Sequence, residues 1–122
     1  MLTRTYWAAW NSLAKVAGLE SGACHGHTAC GAIKGAIDQV QIGSLTALLG
    51  KISPAVEAIH CTGERAAKNY GFVDAVARKN VSVTIAGIRE QSSVLRELES
   101  SGSIKIAGSM YNLETGMVEF LE

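Results

Sequence analysis

Proline is nearly absent: Pro54 is the only one in 122 residues. No apolar run reaches the roughly 20 residues that a membrane span needs. No basic start leads into an apolar stretch and a small-residue cleavage site, so no secretory signal is read. Neither charge is in surplus, with 11 Lys and Arg against 11 Asp and Glu, a net charge of zero and a pI near 6.8. That balance argues against a general nucleic-acid binder, which needs basic excess to neutralise phosphates, although it leaves room for a local basic patch. Internal repeats and low-complexity tracts are missing. Cysteine is sparse, and Cys24, Cys30 and Cys61 cannot all pair within one chain. With His25, His27 and His60 they point to reduced thiols and a metal rather than a disulfide framework. These absences lead us to expect a soluble, cytoplasmic protein with no nucleic-acid partner and no membrane partner.

What is present suits a packed core. Apolar residues make up 48% and charged residues 18% of the chain, and the length fits a single domain spanning residues 1–122. Tyr6, Trp7, Trp10, Leu13, Ala14 and Ala17 recur at steps of three and four, which predicts an amphipathic helix over Thr3 to Ala17. Leu19 to His27 is Gly- and Ala-rich and lacks β-branched residues, a poor composition for a strand. Short helices are predicted over Thr28 to Val40, with Ile33, Ile37 and Val40 inward, and over Ile42 to Ile52, with Leu45, Leu48, Leu49 and Ile52 inward. Ser53-Pro54 starts another, because proline suits a first helical turn. Glu64 to Asn80 reads as one helix, and Asn80 as the cap of a second over Val81 to Gln91. Ser92-Ser93 caps a short helix over Val94 to Ser100. Ile104 to Tyr111 and Met117 to Leu121 then form a hairpin around Asn112 to Gly116.

The densest chemistry lies in Cys24-His25-Gly26-His27-Thr28-Ala29-Cys30-Gly31. Zinc takes thiolate sulfur and imidazole nitrogen in tetrahedral geometry. If the chain turns from loop into helix here, His27 and Cys30 converge on one ion, and Gly31 lets the backbone pass close by. The same spacing also suits a buried free cysteine beside a polar turn.

Wider context bears on that choice. His27 to Ala36, with the sequence HTACGAIKGA, resembles the zinc-binding segment of β-class carbonic anhydrases. Ile42-Gly43-Ser44-Leu45 is similar to the short helix that follows in that family. The stretch containing Asn80-Val81, Ile88-Arg89-Glu90, Ser92-Ser93 and Leu95 to Leu98 resembles its C-terminal helices, and Ile104 to Gly116 its last hairpin. The resemblance runs in order from about Leu13 to Leu121. It implies an α/β fold: part of the β-carbonic-anhydrase fold, with helices packed on a small, mainly parallel sheet and a C-terminal hairpin. It also implies zinc held by two Cys and one His, and reversible hydration of carbon dioxide to bicarbonate. In that family an Asp–Arg pair beside the metal orients the nucleophile.

The sequence departs from the family at one place. The early Cys-x-Asp-Ser-Arg segment is absent, which reads as an N-terminally truncated relative. His27 and Cys30 carry over as ligands, while the first Cys, the Asp and the Arg carry over to nothing. Cys24 is the candidate for the third ligand. Were residues 24–27 a strand, Cys24 would lie roughly 10 Å back from His27, so the set needs a curl at Gly22 and Gly26 that lets Cys24 or His25 reach, or a donor from another chain.

Other residues have plainer readings. His60 and Cys61 are adjacent and point apart on a helix. Trp7 and Trp10 bury area against a core or a partner. Lys34, Arg65, Arg89, Glu90, Arg96 and Glu97 read as surface charges. An unpaired sheet edge left by missing early strands predicts a homodimer or higher homo-oligomer. Three functions stay open. One is zinc-dependent carbon dioxide hydration. The second is a catalytically inactive relative acting as a zinc-binding or structural protein. The third is a helical interaction module using the Trp7/Trp10 face.

Overall fold

A computed structural model of the protein describes residues 21–121. The elements in order are β1 (Ser21–His27), α1 (Gly31–Ile37), α2 (Gly43–Gly50), α3 (Ser53–Ala58), α4 (Tyr70–Gln91), α5 (Ser93–Ser100), β2 (Lys105–Tyr111) and β3 (Val118–Leu121). The strands form one sheet in the order β1-β2-β3. β1 runs parallel to β2, with Ser21 opposite Lys105 and His27 opposite Tyr111. β3 returns antiparallel, with Tyr111 opposite Val118 and Gly108 opposite Leu121. This is the α/β architecture expected, with one parallel and one antiparallel pairing among the described residues. No helix among them is long and apolar enough to cross a membrane.

Helix α4 organises the core. The Asn69 side chain caps its start by accepting from Phe72 N at 3.2 Å. Its buried stripe includes Val73, Val76, Ala77, Val81, Ile85 and Ile88, at steps that return to one face of a helix. That stripe lies directly on the sheet. A Cβ at Gly108 would sit 2.7 Å from Val81 Cγ1 and 2.9 Å from Ile85 Cδ1. A Cβ at Gly26 would sit 2.7 Å from Met110 Sδ and 2.9 Å from Val81 Cγ2. Glycine at these two strand positions is what lets the helix approach so closely.

Several expectations hold and several need correction. The short helices after His27, the proline-led α3, the helix capped by Ser92 and the hairpin form as read. The two helices expected to meet at Asn80 are one helix of 22 residues. Asn80 stands in its interior, because the continuous apolar stripe outweighs the residue's capping preference. The N-terminal part of that expectation also fails, since the helix starts only at Tyr70. The composition of Leu19 to His27 is poor for a strand, while the family resemblance places a parallel strand leading to His27, and Ser21–His27 does pair in parallel along its whole length with β2. Burial against α4 overrides composition there. Leu49 and Ile52 are buried as expected, whereas Leu45 and Leu48 stay about 40% exposed, at 39% and 43%. The helix expected over Thr3 to Ala17, with Trp7 and Trp10, lies outside the described residues.

Candidate metal-binding turn

Side chains alternate across a strand, and β1 uses both faces. Cys24 is paired with Gly108, whose added Cβ would meet α4, and the Cys24 side chain packs against the core. Gly26 shares that face. His25 and His27 fall on the other face, where they line an open cleft of about 380 Å³ with Tyr111, Leu113 and Val118. The strand curls too little to bring Cys24 around to His27. Burial pushes the Cys24 thiol up from its ordinary value, which disfavours the thiolate a metal needs.

The chain leaves β1 through a tightly held turn. Thr28 N donates to Tyr111 O at 3.0 Å, and Leu113 N donates to Thr28 Oγ1 at 3.0 Å. Ala29 takes a φ of 53°, a left-handed conformation unusual for a residue with a Cβ. Its N–H donates to Asp74 Oδ1 of α4 at 3.0 Å. Cys30 then becomes the N-cap residue of α1, half-buried and packed against the core, and its carbonyl accepts from Lys34 N at 3.0 Å. The turn is thus fixed by both the hairpin and the long helix.

This fixing determines the state of one imidazole. His27 Nδ1 lies 2.8 Å from the Thr28 carbonyl oxygen. A carbonyl only accepts, so Nδ1 carries the proton and donates it. Of the two neutral tautomers, this contact selects the one with its lone pair on Nε2, the arrangement found in metal-binding histidines whose other nitrogen is held by a backbone carbonyl. His25 is held differently. Its Nδ1 hydrogen-bonds the hydroxyl of Ser109, the residue opposite it on β2, and Ser109 is fully buried.

His27 and Cys30 flank the turn, and Cys24 stands on the opposite face of β1 from His27. Among the described residues, no group of three or more His, Cys, Asp or Glu side chains is arranged to hold a metal ion. His60 and Cys61 follow α3 rather than lying on a helix, with Cys61 Sγ near Glu64 O and Asn69 Nδ2, both at 3.6 Å. Asp74 and Ser109 escaped the sequence reading. Asp74 meets Ala29 across 45 residues, with no local signal. The placement of His25 beside His27 was readable from strand alternation alone.

The family model for carbonic anhydrase matches residues 15–118. A curated carbonic anhydrase of Pseudomonas aeruginosa is 29% identical over 99 residues, which is 80% of this chain and 44% of that protein. A tetrameric β-carbonic anhydrase of Sordaria macrospora aligns with a TM-score of 0.80 at 19% identity, covering 98% of this chain and 60% of that one. The Coccomyxa β-carbonic anhydrase, solved in complex with acetazolamide, aligns with a TM-score of 0.79 at 17% identity, covering 95% and 53%. The chain therefore spans less than half the length of the curated relative it matches. The family match covers most of the chain, and the structural likenesses supply the fold: this chain belongs to the carbonic anhydrase family and has a β-class carbonic-anhydrase fold.

Proposed function

We propose that the chain is a zinc-dependent, carbonic-anhydrase-like protein whose reaction class is the reversible hydration of carbon dioxide to bicarbonate. His27 and Cys30 are its metal donors in this reading. One observation carries it: the Thr28 carbonyl fixes the proton on His27 Nδ1 and leaves Nε2 free beside an open cleft. Zinc bound there supplies Lewis-acid activation of water. The chain's own residues do the rest of the work described here. Asp74 and Leu113 hold the turn rigid, and Leu113 and Val118 give the cleft an apolar wall suited to a small apolar gas. Two donors retain a metal weakly, so occupancy is expected to fall at low zinc concentration.

Stopped-flow carbon dioxide hydration by the full chain at one zinc per chain tests this. A rate above buffer that disappears in His27→Ala is the expected result. No rate above buffer at that loading overturns the enzymatic reading.

A second reading has its own observation. The acidic group nearest the turn, Asp74, is committed to the Ala29 N–H. The arginine one turn further along α4, Arg78, is committed to Glu119 at 2.5 Å. Asp74 and Arg78 are thus each engaged by groups other than the metal donors, and the family's Cys-x-Asp-Ser-Arg segment is absent from the sequence. This favours a relative that keeps the scaffold and binds zinc without turnover.

A homodimer or larger homo-oligomer belongs to the proposal. Met117, Val118 and Phe120 expose apolar surface along β3, at the sheet's edge among the described residues. Three free thiols suit a reducing compartment such as the cytoplasm.

A further inference from the structure

The peptide unit between Thr28 and Ala29 is engaged from both ends. Its N–H, on Ala29, donates to Asp74 Oδ1 of α4 at 3.0 Å. Its carbonyl, on Thr28, accepts from His27 Nδ1 at 2.8 Å. A trans peptide is planar, so its N–H and C=O point in opposite directions from one rigid plane. A carboxyl on the long helix and an imidazole at the end of β1 therefore grip the same plane from opposite sides.

The plane needs that hold. Ala29 has a φ of 53°, in the left-handed region that a Cβ disfavours. Turning the plane over would return Ala29 to a negative φ and swing the Thr28 oxygen away from His27. Local backbone preference thus works against the contact that selects the His27 tautomer. The Thr28 N–H and hydroxyl are tied to the hairpin through Tyr111 O and the Leu113 N–H, which leaves its carbonyl plane to Asp74. The carboxyl stands on a firm base, because Val73 and Val76 beside it on α4 are fully buried. Hydrogen bonds in series also polarise one another, so an N–H given to a carboxyl makes the carbonyl across the plane a better acceptor for Nδ1–H.

We propose that Asp74 is a positioning residue for His27, acting through the Thr28–Ala29 peptide. The carboxyl fixes the plane, the carbonyl of that plane fixes the Nδ1 proton, and Nε2 is left as the donor nitrogen. Asp74 itself touches neither metal nor substrate in this scheme. What Nε2 then does rests on the preceding reading, whereas the tautomer does not.

The test joins a metal-free and a metal-loaded readout on the full chain, with thermal melts to confirm that each variant is folded. In the metal-free chain at alkaline pH, long-range ¹H–¹⁵N correlation spectra report which nitrogen of His27 carries the proton. The parent is expected to show Nδ1–H, and Asp74→Ala to shift toward Nε2–H. Asp74→Asn, whose carboxamide oxygen still accepts from the Ala29 N–H, is expected to restore Nδ1–H. Zn²⁺ titration by calorimetry should follow the same order, about tenfold weaker in Asp74→Ala and within about threefold of the parent in Asp74→Asn. Ile88→Val trims the core at the other end of α4 and should leave both readouts unchanged, which separates positioning from lost stability. Asp74→Ser, whose hydroxyl stops one bond short of Oδ1, replaces Asp74→Ala if that variant does not fold. A parent-like His27 tautomer in folded Asp74→Ala overturns the proposal, as does an equal change in Ile88→Val or no recovery in Asp74→Asn. The preceding reading fails separately: Zn²⁺ binding that survives His27→Ala and Cys30→Ser removes those donors, while the metal-free tautomer still decides the part played by Asp74.

Discussion

The two faces of the small sheet are built to opposite rules. The face toward α4 is dry and close-packed, with glycines at 26 and 108 placed where any Cβ would strike Val81, Ile85 or Met110. The other face carries His25, His27, Ser109 and Tyr111 beside an open cleft. One strand, β1, belongs to both. The difference separates a close-packed side from an open one, and it places Cys24 on the first and His25 and His27 on the second.

The contrast breaks most severely on the packed face. Ile85→Ala removes a buried side chain beneath the sheet and should destabilise the fold by about 2–5 kcal/mol, read as a lower urea midpoint. Gly108→Ala drives a methyl group into Val81 and Ile85 and should cost about 1–3 kcal/mol in the same measurement. Asp74→Ala acts where the faces meet. It leaves the Ala29 N–H without its acceptor and should destabilise by about 1–2 kcal/mol, while Asp74→Asn recovers most of that. On the cleft face, His25→Gln removes the imidazole that bonds the buried Ser109 hydroxyl and should destabilise by about 0.5–1.5 kcal/mol in the same measurement.

The smallest effect lies away from both faces. Hydrogen bonds from Arg89 hold the Glu99 carboxyl below its ordinary range, with the two groups 2.7 Å apart between α4 and α5. A lowered folded-state pKa gives stability that is fully present above the unfolded value and is lost as pH falls through the folded one. Acid titration of stability should therefore show a loss below about pH 4.5, and Glu99→Gln should flatten it by less than about 1 kcal/mol, since the pair is partly exposed.

Much of this was legible in the sequence, for reasons that can be named. Pro54, Ser92 and Gly116 act through their nearest neighbours, so α3, α5 and the hairpin could be read from them. His27 and Cys30 stood out because metal chemistry restricts the residue types. What could not be read depends on distant parts of the chain. Ser21 to His27 reads as a strand only through the family resemblance, not through its own composition, because it is β2, more than 80 residues on, that pairs with it. Asn80 looked like a cap because its local preference is visible and the stripe that overrides it is long. The third-ligand question turned on strand alternation. The spacing leaves a curl open for Cys24, and the continuous pairing of β1 with β2 puts Cys24 and His27 on opposite faces of the strand.

Crystals of the full chain loaded with Zn²⁺, measured on both sides of the zinc absorption edge, test the division of the sheet most directly. The account predicts an anomalous peak about 2.0–2.1 Å from His27 Nε2 and about 2.3 Å from Cys30 Sγ. A peak bonded to Cys24 Sγ, on the side of the sheet that faces α4, would contradict it.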